Sequence, residues 1–98
     1  MKQQALFKAL ADPTRRQILA RLRHGSATAG EIAEDFEMTR PSLSHHFNVL
    51  KDADLLRNER RGQHIVYSIN TTVFEEAAAL LLDLFGQREI KKNRGGRI

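Results

Sequence analysis

Apolar residues recur at helical spacing through most of the chain and at strand spacing in one stretch, and these changes of period divide it into short elements. Leu6, Phe7 and Leu10 mark a first helix. Asp12 then stands where a side chain caps free N–H groups, and Pro13 fits the first position of a second helix because its missing N–H has no partner there. Ile18, Leu19 and Leu22 supply the buried stripe of that helix, and His24-Gly25-Ser26 ends it.

Thr28-Ala29-Gly30-Glu31 reads as a capping box, in which hydroxyl and carboxylate reciprocally satisfy backbone donors. Ile32, Ala33 and Phe36 bury one face of the short helix that follows. After Glu37-Met38, Thr39 is placed to cap the next helix, with Pro41 tolerated in its first turn. That helix docks by Leu43, Phe47 and Leu50. Its opposite side is left to Arg40, Pro41, Ser44, His45, Asn48 and Lys51, so residues 28–50 form a helix-turn-helix with a small, polar outward face.

From Leu56 to Ile69 the period becomes two: Ile65, Tyr67 and Ile69 alternate with Val66 and Ser68, and Arg61-Gly62-Gln63 is the reversal of a two-stranded hairpin. A hairpin directly after a recognition helix is a wing. Asn70-Thr71-Thr72 with Glu75 offers a second capping box, opening a last helix to about Phe85. Phe74, Ala78, Leu81 and Phe85 make one apolar stripe of it, and Val73, Ala77, Leu80 and Leu84 another. A chain this small covers one such face, which leaves the other to meet a second copy. The fold class is therefore mainly α with a small β-hairpin. Residues 1–86 form a DNA-binding and dimerisation domain, and residues 87–98 a basic, flexible tail.

Composition narrows the chemistry. The 98 residues contain no cysteine, which excludes disulfides and thiolate metal sites. The formal net charge of +4 lies in the tail, and residues 1–86 balance to zero. Basicity alone thus says little, and the argument turns on where the cations cluster. The N-terminus MKQQALFKALADP is amphipathic with charged interruptions, unlike a signal peptide, and no run reaches transmembrane length, so the expected location is the cytoplasm without membrane insertion.

A helix entering the major groove needs short donors and acceptors near its N-terminus, a set that Arg40, Ser42, Ser44 and His45 supply, with Thr39 and Asn48 beside them. The wing adds Arg57, Arg60, Arg61, Gln63 and His64 around a glycine turn, suited to phosphate or to a narrow minor groove. His46 points toward the buried stripe and reads as a packed, structural histidine. Arg15 and Arg16 stand in the first turn of the second helix, where the macrodipole disfavours cations. Acidic side chains or DNA phosphate would compensate, and a salt bridge is expected for one of them. Catalysis finds no support, because Ser44 and His45 splay apart and Ser42 has no oxyanion element near it. There is no Gly-rich phosphate loop.

The order of elements, together with DPTRRQIL, PSLSHHFNVL and RRGQHIVYSIN, resembles the ArsR/SmtB family of winged-helix repressors over residues 5 to about 85. ADPTRRQIL, TAGEIAEDF and INTTVFE are most similar to its SdpR autorepressor subgroup. The resemblance implies a homodimer joined through the first and last helices, Leu6 and Phe7 meeting the stripe of Phe74, Ala78, Leu81 and Phe85, on an inverted-repeat operator of double-stranded DNA. It puts base reading on Arg40, Ser42, Ser44 and His45 and wing contacts on Arg60 and Arg61. The family's metal sites do not carry over: Ala33, Glu34, Asp35 and Phe36 replace the third-helix cysteines, and the last helix offers Glu75, Glu76 and Asp83 without histidine. No metal and no cofactor are expected. An unidentified protein partner would then be a route to relief of repression. The rival reading is a winged-helix module binding an acidic partner protein.

Overall fold

The computed structural model describes residues 1–86, and the expected tail at 87–98 lies outside the described residues. Eight elements follow one another: α1 (Gln3–Leu10), α2 (Pro13–Arg23), β1 (Ala27–Thr28), α3 (Ala29–Asp35), α4 (Arg40–Asp52), β2 (Leu56–Arg61), β3 (His64–Ile69) and α5 (Thr71–Leu84). Leu6, Ile18, Ile32, Leu43, Leu50 and Leu55 are fully buried where the helices converge. Among the described residues no helix is long and apolar enough to cross a membrane.

The helix starts follow the side-chain chemistry of the sequence. Asp12 Oδ2 accepts from the Arg15 N–H at 3.0 Å, and Thr39 Oγ1 accepts from the Ser42 N–H at 3.3 Å. At α3 the full capping box is present: the Thr28 N–H donates to Glu31 Oε1 at 2.8 Å and the Glu31 N–H to Thr28 Oγ1 at 3.2 Å. The start of α5 differs from expectation. Asn70 is its cap, with Oδ1 accepting from the Val73 N–H at 3.4 Å, so Glu75 falls beyond the third helical position and no capping box forms. Asn70 takes the role because its main chain is already fixed, its N–H donating to the Leu55 carbonyl at 2.9 Å.

Both helices of the helix-turn-helix stop without glycine. Glu37 and Asp54 adopt φ of +50° and +58°, and the Met38 and Leu55 N–H groups donate back to the Ala33 and Leu50 carbonyls at 2.9 and 3.1 Å. These are Schellman turns with an acidic residue in the left-handed position, a conformation that costs a side chain about 1–2 kcal/mol relative to the right-handed one.

The hairpin turns at Gly62-Gln63, with Arg61 opposite His64 and Gly62 at φ +63°. The sheet has a third strand that the sequence pattern does not reveal. In the order β1-β3-β2, Ala27 pairs with Tyr67 and Thr28 with Val66, so Thr28 both ends a strand and caps α3.

Arg15 and Arg16 find a different compensation from the expected salt bridge. Arg15 Nε and Nη2 donate to the Ala9 and Lys8 carbonyls, each at 2.9 Å, and Arg16 Nη1 donates to the Leu10 carbonyl at 2.7 Å. The two guanidinium groups thus cap the C-terminus of α1, where unpaired carbonyls and the negative end of the helix dipole favour cations.

Candidate nucleic-acid interface

Capping by Thr39 sets the first turn of α4 and uses part of the predicted polar set internally. Thr39 Oγ1 also donates to Ser42 Oγ at 3.1 Å, so the Ser42 hydroxyl accepts in this contact and keeps its own hydrogen to donate elsewhere. Arg40, Ser42, Ser44, His45 and Asn48 are all exposed, whereas Leu43 and Phe47 on the inner face are buried. The Arg40 side chain lies back over the start of α3: a Cβ placed on Gly30 would stand 3.5 Å from Arg40 Nη1.

The wing stands beside α4 because Phe47 and Tyr67 pack together beneath both, and a cleft of about 480 Å³ opens between helix and hairpin. Arg40, Ser44 and Asn48 line one wall and Gln63 and His64 part of the other, so five of the residues singled out in the sequence for DNA contact share this cleft. Thr39, Ser42, His45, Arg60 and Arg61 are outside its lining. Lys51 adds a further cation to its lining. Lys51 was legible as the next member of the stripe running through Arg40, Ser44 and Asn48.

The wing arginines are unequal. Arg61 Nε pairs with Glu59 Oε1 at 2.6 Å, both side chains exposed, which offsets part of its charge at the tip. Arg57 sits at the base of the hairpin, where Nη2 donates to Asn70 Oδ1 at 3.3 Å, and so belongs to the α5 junction more than to the tip. Arg60 is exposed and, among the described residues, carries no ion pair.

His46 is turned inward from His45, the two rings 5.6 Å apart. Its Nδ1 accepts from Arg15 Nη1 at 3.3 Å and lies 3.9 Å from Asp12 Oδ2. Burial holds its pKa below the ordinary imidazole value, an effect that Asp12 opposes and Arg15 and His45 reinforce. The capping N–H of Arg15 holds the Asp12 carboxyl below the usual carboxylate range, and the Thr28 N–H does the same for Glu31.

The candidate dimer residues are also sorted by exposure. Phe7, Leu81 and Phe85 are 44%, 38% and 80% exposed, and Ala78 is exposed with them. Leu6 is corrected: at 1% exposure it belongs to the protomer's own core and has no surface left for a partner. Phe74 is half-buried against that core. Leu82 and Leu84 are exposed instead.

An outward polar helix, a basic hairpin and a shared cleft define a winged helix-turn-helix DNA-binding regulator. Residues 10–59 match the family described as a helix-turn-helix domain. The transcriptional repressor SdpR of Bacillus subtilis is 48% identical over 82 residues, covering 84% of this chain and 91% of that protein. The HTH-type transcriptional regulator Rv2034 of Mycobacterium tuberculosis is 44% identical over 78 residues, 80% of this chain and 70% of its own. The crystal structure of the ArsR family transcriptional regulator RHA00566 superposes with a TM-score of 0.79 at 35% identity, covering 94% of this chain and 98% of that one. The chain belongs to the ArsR/SmtB family of winged-helix repressors. It is a DNA-binding transcriptional repressor and not an enzyme, and the rival reading as a protein-interaction module is not favoured.

Proposed function

We propose that the protein acts as a homodimer on an inverted-repeat operator and represses its own gene or a neighbouring operon from the cytoplasm. The observation that carries this reading is the pairing of an exposed polar α4 face with the wing around one cleft, while the outer stripe of α5 stays uncovered. Arg40, Ser42, Ser44, His45 and Asn48 address base edges. Arg60, Arg61 and Gln63 hold the flanking backbone. Phe7, Ala78, Leu81 and Phe85, joined by Leu82, form the dimer face. Two-fold symmetry then sets the recognition helices about one helical turn, roughly 34–36 Å, apart. Autoregulation rests on the subgroup resemblance, and relief of repression falls to a separate protein that engages the dimer.

Fluorescence anisotropy tests the reading with a duplex from upstream of the protein's own gene and a scrambled duplex, each at rising salt. Tighter binding to the upstream duplex is expected, with both affinities falling linearly in log salt as counterion release is lost. Equal affinity for the two duplexes at every salt would contradict it.

A further inference from the structure

Arg15 is the charged side chain that the described core buries, at 8% exposure. Its guanidinium has three destinations: the Lys8 carbonyl, the Ala9 carbonyl and His46 Nδ1. The first two are the last turn of α1. The third is on the recognition helix, next to His45. One planar group therefore bridges the end of the first helix and the inner face of α4, and a guanidinium suits this because its rigid fork fixes all three directions at once.

Arginine has donors only, so the hydrogen bond to His46 requires Nδ1 to be the lone-pair nitrogen and places the imidazole hydrogen on Nε2. We propose that Arg15 and His46 are positioning residues that fix α4 against α1, so that the setting of the recognition helix depends on His46 Nδ1 remaining a hydrogen-bond acceptor. The inference rests on the reading that α4 carries the base contacts.

The charged groups around His46 decide what protonation does. From the start of α2 come Asp12 and Arg15, from α4 itself His45, and the charged residue of α1 is Lys8. An added proton on Nδ1 turns the 3.3 Å contact with Arg15 from a hydrogen bond into donor facing donor and cation facing cation. The imidazolium is then drawn to Asp12 Oδ2, 3.9 Å away, which already caps α2. The contact passes from Arg15, which is tied to the α1 carbonyls, to Asp12, which is not, so α4 loses its link to the end of α1. Burial opposes that proton, so the device is silent at neutral pH and acts in mild acid.

Nitrogen-15 imidazole spectra of the native protein at neutral pH test the hydrogen bond directly. The His46 ring should be the Nε2–H tautomer, and an Nδ1–H tautomer overturns the proposal. Operator affinity tests the consequence. The Oδ1 introduced by His46→Asn, bonded to Cγ as Nδ1 is, offers Arg15 an acceptor that does not titrate, and an operator duplex obtained by selection serves as probe. As the pH falls from about 7.5 through and below the ordinary imidazole value, the native protein should progressively lose operator affinity relative to His46→Asn, the loss approaching about tenfold, the equivalent of one hydrogen bond to a charged group, only as the ring becomes fully protonated. On random DNA the ratio should stay constant. Parallel loss by native and variant proteins on the operator, or an equal shift on random DNA, overturns the proposal. Failure of the base-reading assignment shows separately, as Ser44→Ala and His45→Ala variants that keep full operator affinity.

Discussion

Phe47 on the recognition helix and Tyr67 on the wing strand meet with ring centroids 4.4 Å apart and planes inclined at 50°, so the two candidate DNA-contacting elements share one buried aromatic joint. Both rings are almost wholly buried. A tilted aromatic pair contributes about 0.5–1.5 kcal/mol beyond its area burial. Phe47→Ala should therefore lower the unfolding free energy by about 3–5 kcal/mol, a large part of the total for a domain of this size. Urea denaturation measures it, and a loss under about 1 kcal/mol would show that the joint contributes little beyond ordinary surface contacts.

The wing and the helix should fail differently. Arg60→Ala should remove the proposed contact to the DNA backbone, so affinity should fall for all sequences and the salt slope drop by about one unit. Ser44→Ala or His45→Ala should cost about 1–3 kcal/mol on the preferred operator and little on random DNA. Glu59→Ala frees Arg61 from its 2.6 Å partner and should tighten binding to any duplex. Wing variants that relax sequence choice while sparing the salt slope would show the two surfaces assigned the wrong way round.

Most of this architecture was legible because capping side chains and apolar periods agreed. Asp12, Thr28 and Thr39 cap where their residue types require, and Gly62 turns the hairpin. What escaped had no local signature. Strand β1 is two residues long, too short to alternate, and exists because β3 offers an edge to Ala27 and Thr28. The stops at Glu37 and Asp54 lack the glycine that usually marks a left-handed cap. The role of Arg15 depended on the last turn of α1 lying within reach of its guanidinium, which no residue spacing encodes. The burial of Leu6 beside an exposed Phe7 likewise followed from how α1 docks. Within the candidate site, residue types pointed to the polar face of α4, while the share of Lys51 and His64 in the cleft needed the hairpin's position.

Acid should loosen the fold in two stages. His46 has a folded pKa below its ordinary value, so the unfolded chain takes the proton first: its contribution is complete above about pH 6.5 and declines as pH falls from there toward the folded value. Asp12 and Glu31 are also held low, and their stabilisation is present above the ordinary carboxylate values and lost as pH falls through the depressed ones. His46→Asn should remove the first stage, and Asp12→Asn with Glu31→Gln should reduce the second. Urea midpoints followed against pH check both. A native curve running parallel to that of His46→Asn through the upper range would contradict the first stage.

The α5 stripe gives a prediction about assembly. Ala78, Leu81, Leu82 and Phe85 fall at spacings of three and four and are exposed together. Phe85→Glu would bury a charge without a partner in the proposed dimer and should yield monomer whose operator affinity collapses. Light scattering decides. A native chain that is monomeric at the concentrations where it binds DNA would contradict the dimer face.

Selection of bound sequences from random double-stranded DNA, using the native protein, tests sequence-specific reading by a symmetric pair of recognition helices. The predicted result is enrichment of an inverted repeat whose half-site centres lie about 10–10.5 base pairs or a multiple apart, with the Ser44→Ala variant losing preference within the half-sites. No enrichment over the starting pool, or enrichment of a single asymmetric site that Ser44→Ala leaves unchanged, would contradict it.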